Sequence, residues 1–233
     1  MYEKLRGNRE HLYLKLKALK NLEKYGIEVY LSVTIAPDIN EDELPKILKF
    51  AIKNNHFIKG LNIYGATPGY GRFNISMKRN ITSSDIAKIL EKASSGVISK
   101  EYFVEFKRLR VNLSNLLKKF RIFFPPGYYY PIAVLNVING EVKQFIPLEK
   151  LKRINYQLEN KRLIPILKDV KLVFDFLKLL ISKSFYVGSL GKNMLVINIG
   201  NIITPINYIP IECCFIAIEK IKDKIFLSAK GPD

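Results

Sequence analysis

Leucines at positions 12, 16, 19 and 22 recur at helical spacing within residues 9–25, and Gly26 stands where a helix commonly ends. The stretch IEVYLSVTI (27–35) then alternates. Ile27, Val29, Leu31, Val33 and Ile35 are apolar, while Glu28, Tyr30, Ser32 and Thr34 between them carry polar groups. Successive side chains of a strand point to opposite faces, so this stretch predicts a strand with one apolar and one polar face. A turn, APDIN, leads to Glu41, Asp42 and Glu43, acidic residues that suit a helix N-terminus. Leu44, Ile47, Leu48, Ala51 and Ile52 form the apolar face of that helix. FIKGLNIYG (57–65) predicts a second strand, with Leu61 and Ile63 on one face and Gly60, Asn62 and Tyr64 on the other. A Gly/Pro loop, ATPGYGRFN, precedes a third helix, TSSDIAKILEKASSG, capped by Thr82 or Ser83 and closed at Gly96.

The pattern changes after residue 97. YYYPIAVLNVINGEVKQFIPL predicts two strands joined at Asn139-Gly140, a strong hairpin signal. A long amphipathic helix is expected around 162–183, and NMLVINIGNI, PIECCFIAIE and the end of EKIKDKIFLSA are expected strands. The expected organisation is therefore two regions: 1–97 with βα alternation, and 98–233 as an α+β region.

Helix, strand, helix, strand, helix is the order of a parallel sheet or barrel. Two strands are too few to make such a sheet with both faces covered, and no strand precedes the opening helix. Residues 1–97 are thus expected to form the back portion of a barrel whose front lies elsewhere. The polar face of the two strands admits two readings. In an open barrel it faces a ligand, with Ser32, Thr34, Asn62 and Tyr64 near the mouth at the C-terminal strand ends. Otherwise it is the wet face of a half-exposed sheet.

The chain has 233 residues, 48 % hydrophobic and 25 % charged, which is enough for a packed core and excludes a disordered tail. Its net charge of +17 draws it to polyanions: an acidic partner, an anionic membrane surface or nucleic acid. Nucleic acid is the weakest of these expectations, because charge alone supports it. The two cysteines, Cys213 and Cys214, are adjacent and make no disulfide framework, so a reducing, cytoplasmic setting is expected. No stretch is long and uncharged enough for a transmembrane helix. The basic face of KDVKLVFDFLKLLISK leaves a membrane-peripheral setting open. His11 and His56 share no metal-ligand spacing, and no metal site is expected. FFPPGYYYP mixes aromatic residues with prolines and reads as a rigid loop or a stacking surface.

The order of several weak motifs adds to this. YEKLRGN before a leucine-striped helix, YGIEVYLSVTI, a turn with Asn40, and DELPKILKFA together resemble the second half of the radical SAM barrel. IKGLNIYGATPGYGR and NITSSDIAKILEKASSGVISKEYF resemble one branch, that of archaeal tetraether lipid synthase and the related pterin-methylating enzymes. In that branch a G-x-N-x-x-P strand leads to a T/Y-G-R loop and an R-I-T helix start. Gly60, Asn62, Gly71, Arg72, Ile81 and Thr82 stand at those places here. NVINGEVKQFIPLEKL is similar to the hairpin and following segment of that branch.

The resemblance implies the back half of a partial (β/α)6 TIM-type barrel, entered just after its fourth strand and followed by an α+β C-terminal region. It implies S-adenosyl-L-methionine (SAM) and a [4Fe–4S] cluster as cofactors. The cluster motif C-x-x-x-C-x-x-C and the glycine-rich segment that holds the methionine end are not in this chain; of the auxiliary-cluster cysteines the resemblance implies, YFVEFKRLR lacks the first, Cys214 matches one later position and Ala229 stands at another. Two adjacent cysteines cannot supply three thiolates. The expected partner is an upstream-encoded, cluster-bearing half, without which the chain is inactive. By the same resemblance, Ser32, Thr34, Asn62, Tyr64 and Arg6 are expected to contact the cofactor, and Arg72 and Tyr70 the substrate. The implied reaction is SAM-dependent radical alkylation or methylation of a small or lipid-like substrate. The alternative is a non-catalytic scaffold or relic subunit that binds an acidic partner.

Overall fold

The computed structural model describes Asn8 and residues 10–66, 80–119, 131–160, 193–201, 216–221 and 224–229. Helix α1 (Glu10–Lys24) leads into strand β1 (Val29–Ile35). A 3-10 turn (Glu41–Glu43) runs into α2 (Leu44–Lys53), and β2 (Ile58–Gly65) follows. Next come α3 (Ser83–Ala93), α4 (Lys100–Lys119), the hairpin β3 (Ile132–Ile138) and β4 (Glu141–Gln144), and α5 (Leu148–Glu159). Strand β5 (Met194–Asn201) and a second hairpin, β6 (Ile216–Ile221) and β7 (Lys224–Ala229), complete the described elements.

The class is mixed α/β. Five strands form one sheet in the order β1-β2-β5-β3-β4. β1, β2 and β5 are parallel, and β3 and β4 continue the sheet antiparallel. Among the described residues these strands form an open row and do not close on themselves. The sheet takes strands from both sides of residue 97: β5 lies directly beside β2, between it and the β3–β4 hairpin. The outer edge of β1 pairs with no strand among the described residues.

The alternation read from the sequence fixes the faces. On the odd face of β1, Val29, Val33 and Ile35 are buried and Leu31 is half-buried. Leu61 and Ile63 of β2 and Leu195, Ile197 and Ile199 of β5 continue this layer, all fully buried. α2 seals it with Leu44, Leu48 and Ala51, and α3 with Ile86, Ala87 and Leu90. α3 starts where Thr82 and Asp85 form a reciprocal cap: Asp85 N donates to Thr82 Oγ1 (3.2 Å) and Thr82 N to Asp85 Oδ2 (3.0 Å). The expected hairpin is present, and Asn139 and Gly140 both take positive φ (54° and 80°), as a two-residue turn of this hand demands.

α4 and α5 extend this core. Tyr102, Phe103, Phe106 and Leu109 of α4 are buried, and the Tyr102 hydroxyl donates to the Val134 carbonyl of β3 (2.7 Å). Burial pushes the Tyr102 phenol well above its ordinary range. α1 differs from the rest. The leucine stripe is there, but no residue of α1 is buried: Leu19 and Leu22 pack partly on the core, while Leu12 and Leu16 are 42 % and 44 % exposed. The helix expected around 162–183 lies outside the described residues.

Candidate functional site

Three parallel strands carry a polar row on the face opposite the main helical layer. The register places Ser32 beside Asn62 and Asn62 beside Asn198. The next row toward the C-terminal strand ends is Thr34, Tyr64 and Gly200, and the row before is Tyr30, Gly60 and Val196. Parallel strands covered on both faces are usually continuous apolar runs, so amides at the same level of two adjacent strands stand out. Asn198 Nδ2 donates to Asn62 Oδ1 at 2.8 Å. Asn62, Tyr64, Thr34 and Asn198 are half-buried and Ser32 is exposed, so the row is open to solvent at its β1 end.

Two local devices shape this face. Gly60 has no side chain because the Tyr30 ring occupies that space: a Cβ at Gly60 would sit 2.1 Å from Tyr30 Cε1. The second device is Asn40, buried in the turn after β1. It accepts from Ala36 N (2.7 Å) and donates to the Thr34 carbonyl (2.9 Å), which ties down the C-terminal end of β1. Ligands of open α/β sheets bind outside the carboxyl ends of the strands, the end toward which Thr34 and Tyr64 lie.

The four strand residues expected from the sequence to contact a cofactor, Ser32, Thr34, Asn62 and Tyr64, therefore share one face in two adjacent rows. Arg6, Tyr70 and Arg72 lie outside the described residues, as do Cys213 and Cys214. Asn198 was not foreseen at this face. Its signal was the triplet Ile197-Asn198-Ile199, which repeats the Leu61-Asn62-Ile63 pattern of β2.

A second concavity lies at the opposite, N-terminal end of the parallel strands. This cleft, of about 520 Å³, is lined by Glu28, Ile52, Lys53, Asn55, His56, Lys59, Val137 and Asn193. A register shift pairs Val29 with Ile58 but Tyr30 with Gly60, leaving Lys59 as the extra residue of a bulge. Lys59 is 2 % exposed, donates to the Asn55 carbonyl (2.7 Å) and lies 4.0 Å from Glu28. Burial lowers its pKa, and Glu28 opposes that shift. Asn55 donates to the carbonyls of Ile58 (3.2 Å) and Met194 (2.9 Å), so this cluster joins the starts of β2 and β5. His56 pairs with Glu23 at 2.6 Å on the surface. Among the described residues no group of three or more His, Cys, Asp or Glu is placed to hold a metal ion. No helix among them is long and apolar enough to cross a membrane.

Compared with known proteins, the chain matches no family model and no curated protein.

Proposed function

We propose that this chain is the back half of a radical SAM barrel, a protein that alkylates or methylates a small or lipid-like substrate once a cluster-bearing half completes it. One observation carries the reading: a polar row crosses β1, β2 and β5, and the outer edge of β1 pairs with no strand among the described residues. The motif order of residues 1–97 supports it independently.

The residues fit the two cofactors differently. The [4Fe–4S] cluster has no ligand set here, since the only two cysteines are adjacent. The partner half supplies the cluster, and with it the electron that splits SAM. The polar row does suit the nucleoside end of SAM. On this reading, Ser32 and Thr34 offer hydroxyls to ribose or the amino-acid end, Asn62 offers its amide, and Tyr64 offers a ring. Arg6 is assigned to the cofactor, and Tyr70 and Arg72 to the substrate. The polar face would then line the lumen of a partial (β/α)6 barrel, with β1 as the strand that meets the other half. The setting is cytoplasmic, at or near an anionic membrane surface.

The test is anaerobic. Mixing the chain with a reconstituted cluster-bearing half, SAM and reductant is expected to release 5′-deoxyadenosine, and neither component alone should do so. A mixture with an intact cluster that yields none removes the catalytic reading.

The net charge of +17 favours a second reading, a non-catalytic scaffold on an acidic partner. It is the better description if the two halves associate in a salt-sensitive manner, yet the mixture forms no 5′-deoxyadenosine.

A further inference from the structure

The cleft at the N-terminal end of the parallel strands holds a lysine in an unusual setting. Lys59 lines this cleft of about 520 Å³, yet its side chain is only 2 % exposed. A covered ammonium costs free energy that a surface lysine avoids. The bulge of β2 produces the placement. Val29 pairs with Ile58 and Tyr30 with Gly60, so Lys59 is set by the extra residue and not by strand alternation. Its Nζ donates to the Asn55 carbonyl at 2.7 Å and lies 4.0 Å from Glu28. A neutral amine can make the same hydrogen bond and still keep its lone pair. Burial favours that neutral form, and Glu28 works against it. The other titratable groups of the cleft are Lys53 and His56, both exposed, and His56 is engaged by Glu23 at 2.6 Å. Ile52 and Val137 add apolar wall.

We propose that this cleft is a covalent binding site for small carbonyl compounds that bear a carboxylate, with Lys59 as the nucleophile. The uncharged Lys59 amine adds to the carbonyl carbon. The N–C bond forms, the C–O π bond breaks, and Glu28 takes the amine proton, directly or through one water. Return of a proton to the new hydroxyl expels water and leaves an imine. The step consumes one amine and one carbonyl, releases one water and involves no net oxidation or reduction. Glu28 is 42 % exposed, which gives that proton a route to solvent. Lys53, exposed on the cleft wall, supplies a cation for the carboxylate. The site lies at the opposite end of the strands from Thr34 and Tyr64, and it does not rest on the radical SAM reading.

The test is reductive trapping on the full 233-residue chain. Glyoxylate and cyanoborohydride are added at neutral pH, and the modification of each lysine is followed by peptide mass spectrometry. Hydride addition turns each imine into a stable carboxymethyl amine. Lys59 is expected to react about tenfold faster than the exposed Lys49 and Lys143, because the uncharged amine is the nucleophile. A lysine that only ties β2 to the Asn55 carbonyl would be among the slowest, since it is covered. Lys59 reacting no faster than Lys49 and Lys143 therefore overturns the proposal without needing any variant. Glu28→Gln supplies a second readout. Loss of the carboxylate removes a neighbour that stabilises the ammonium, so the midpoint of the Lys59 rate against pH should move to lower pH. The plateau rate should fall as well, because the proton acceptor is gone. A midpoint and plateau that both stay in place overturn the role of Glu28. Acetaldehyde lacks the carboxylate and is expected to show a weaker preference for Lys59 over the same two lysines. An equal preference overturns the acid as part of the ligand class. The 5′-deoxyadenosine assay judges the radical SAM reading separately.

Discussion

Gly60 and Tyr30 show how a single position is decided. Tyr30 projects from β1 across the neighbouring strand, and only a residue without a Cβ leaves room for its ring. Gly60→Ala is therefore expected to destabilise the chain by about 1–3 kcal/mol in urea unfolding. In a Tyr30→Ala background the same change should cost at least about 1 kcal/mol less, since the clash is gone. An equal cost in both backgrounds would place the strain elsewhere. At this scale the sequence was informative wherever a residue's role is set by strand alternation. Ser32, Thr34, Asn62 and Tyr64 were assigned to one face from alternation alone, and they share it. Lys59 was not legible. Alternation assigns it to the face of Leu61 and Ile63, and only the bulge explains a buried lysine that donates to the Asn55 carbonyl.

The elements follow the same division. The Asn139-Gly140 hairpin and the Thr82 cap were readable because local chemistry alone produces them. α4 and α5 were not foreseen, although Tyr102, Phe103, Phe106 and Leu109 have helical spacing. Charged residues interrupt that stripe on every turn. What joins the two helices is also polar. Asn155, fully buried on α5, donates to the Glu105 carbonyl (2.9 Å) and to Glu105 Oε2 (2.6 Å), and accepts from Asn112 (3.3 Å). Arg108 closes the network onto Glu159 and Glu105 (3.2 Å to the latter), and these carboxylates hold its pKa above the ordinary guanidinium range. Asn155→Ala leaves a buried carboxylate and a buried carbonyl short of a donor. A loss of about 2–3 kcal/mol is expected by chemical denaturation, with α4 amides exchanging faster in hydrogen-exchange measurements. Arg108→Ala, at a more exposed site, should cost less.

For the molecule as a whole, the sequence announced βα alternation but not the partner of each strand. Pairing β2 with β5 joins Asn62 to Asn198, 136 residues apart, and no local pattern encodes that neighbour. Among the described residues no strand pairs with the outer edge of β1. The exposed part of α1 and the edge of β1 adjoin each other in sequence, and the proposal places the cluster-bearing half there. Leu12→Glu with Leu16→Glu should leave the unfolding midpoint of the isolated chain nearly unchanged, within about 0.5 kcal/mol, because neither residue is buried. The same pair of changes should abolish co-elution with the cluster-bearing half and with it 5′-deoxyadenosine release. Unimpaired co-elution would place the partner on another surface.

The place of β5 beside β2 also bears on how the molecule is made. A ribosome adding about 5–20 residues per second needs roughly 7–27 s to travel from Asn62 to Asn198. Throughout that interval the inner edge of β2 is without the strand that will cover it, and β3 and β4 emerge before the strand that links them to β2. The central strand of the sheet is thus the last of its five to leave the ribosome, and the nascent chain passes through a stage in which both of its half-sheets are open to the wrong neighbour.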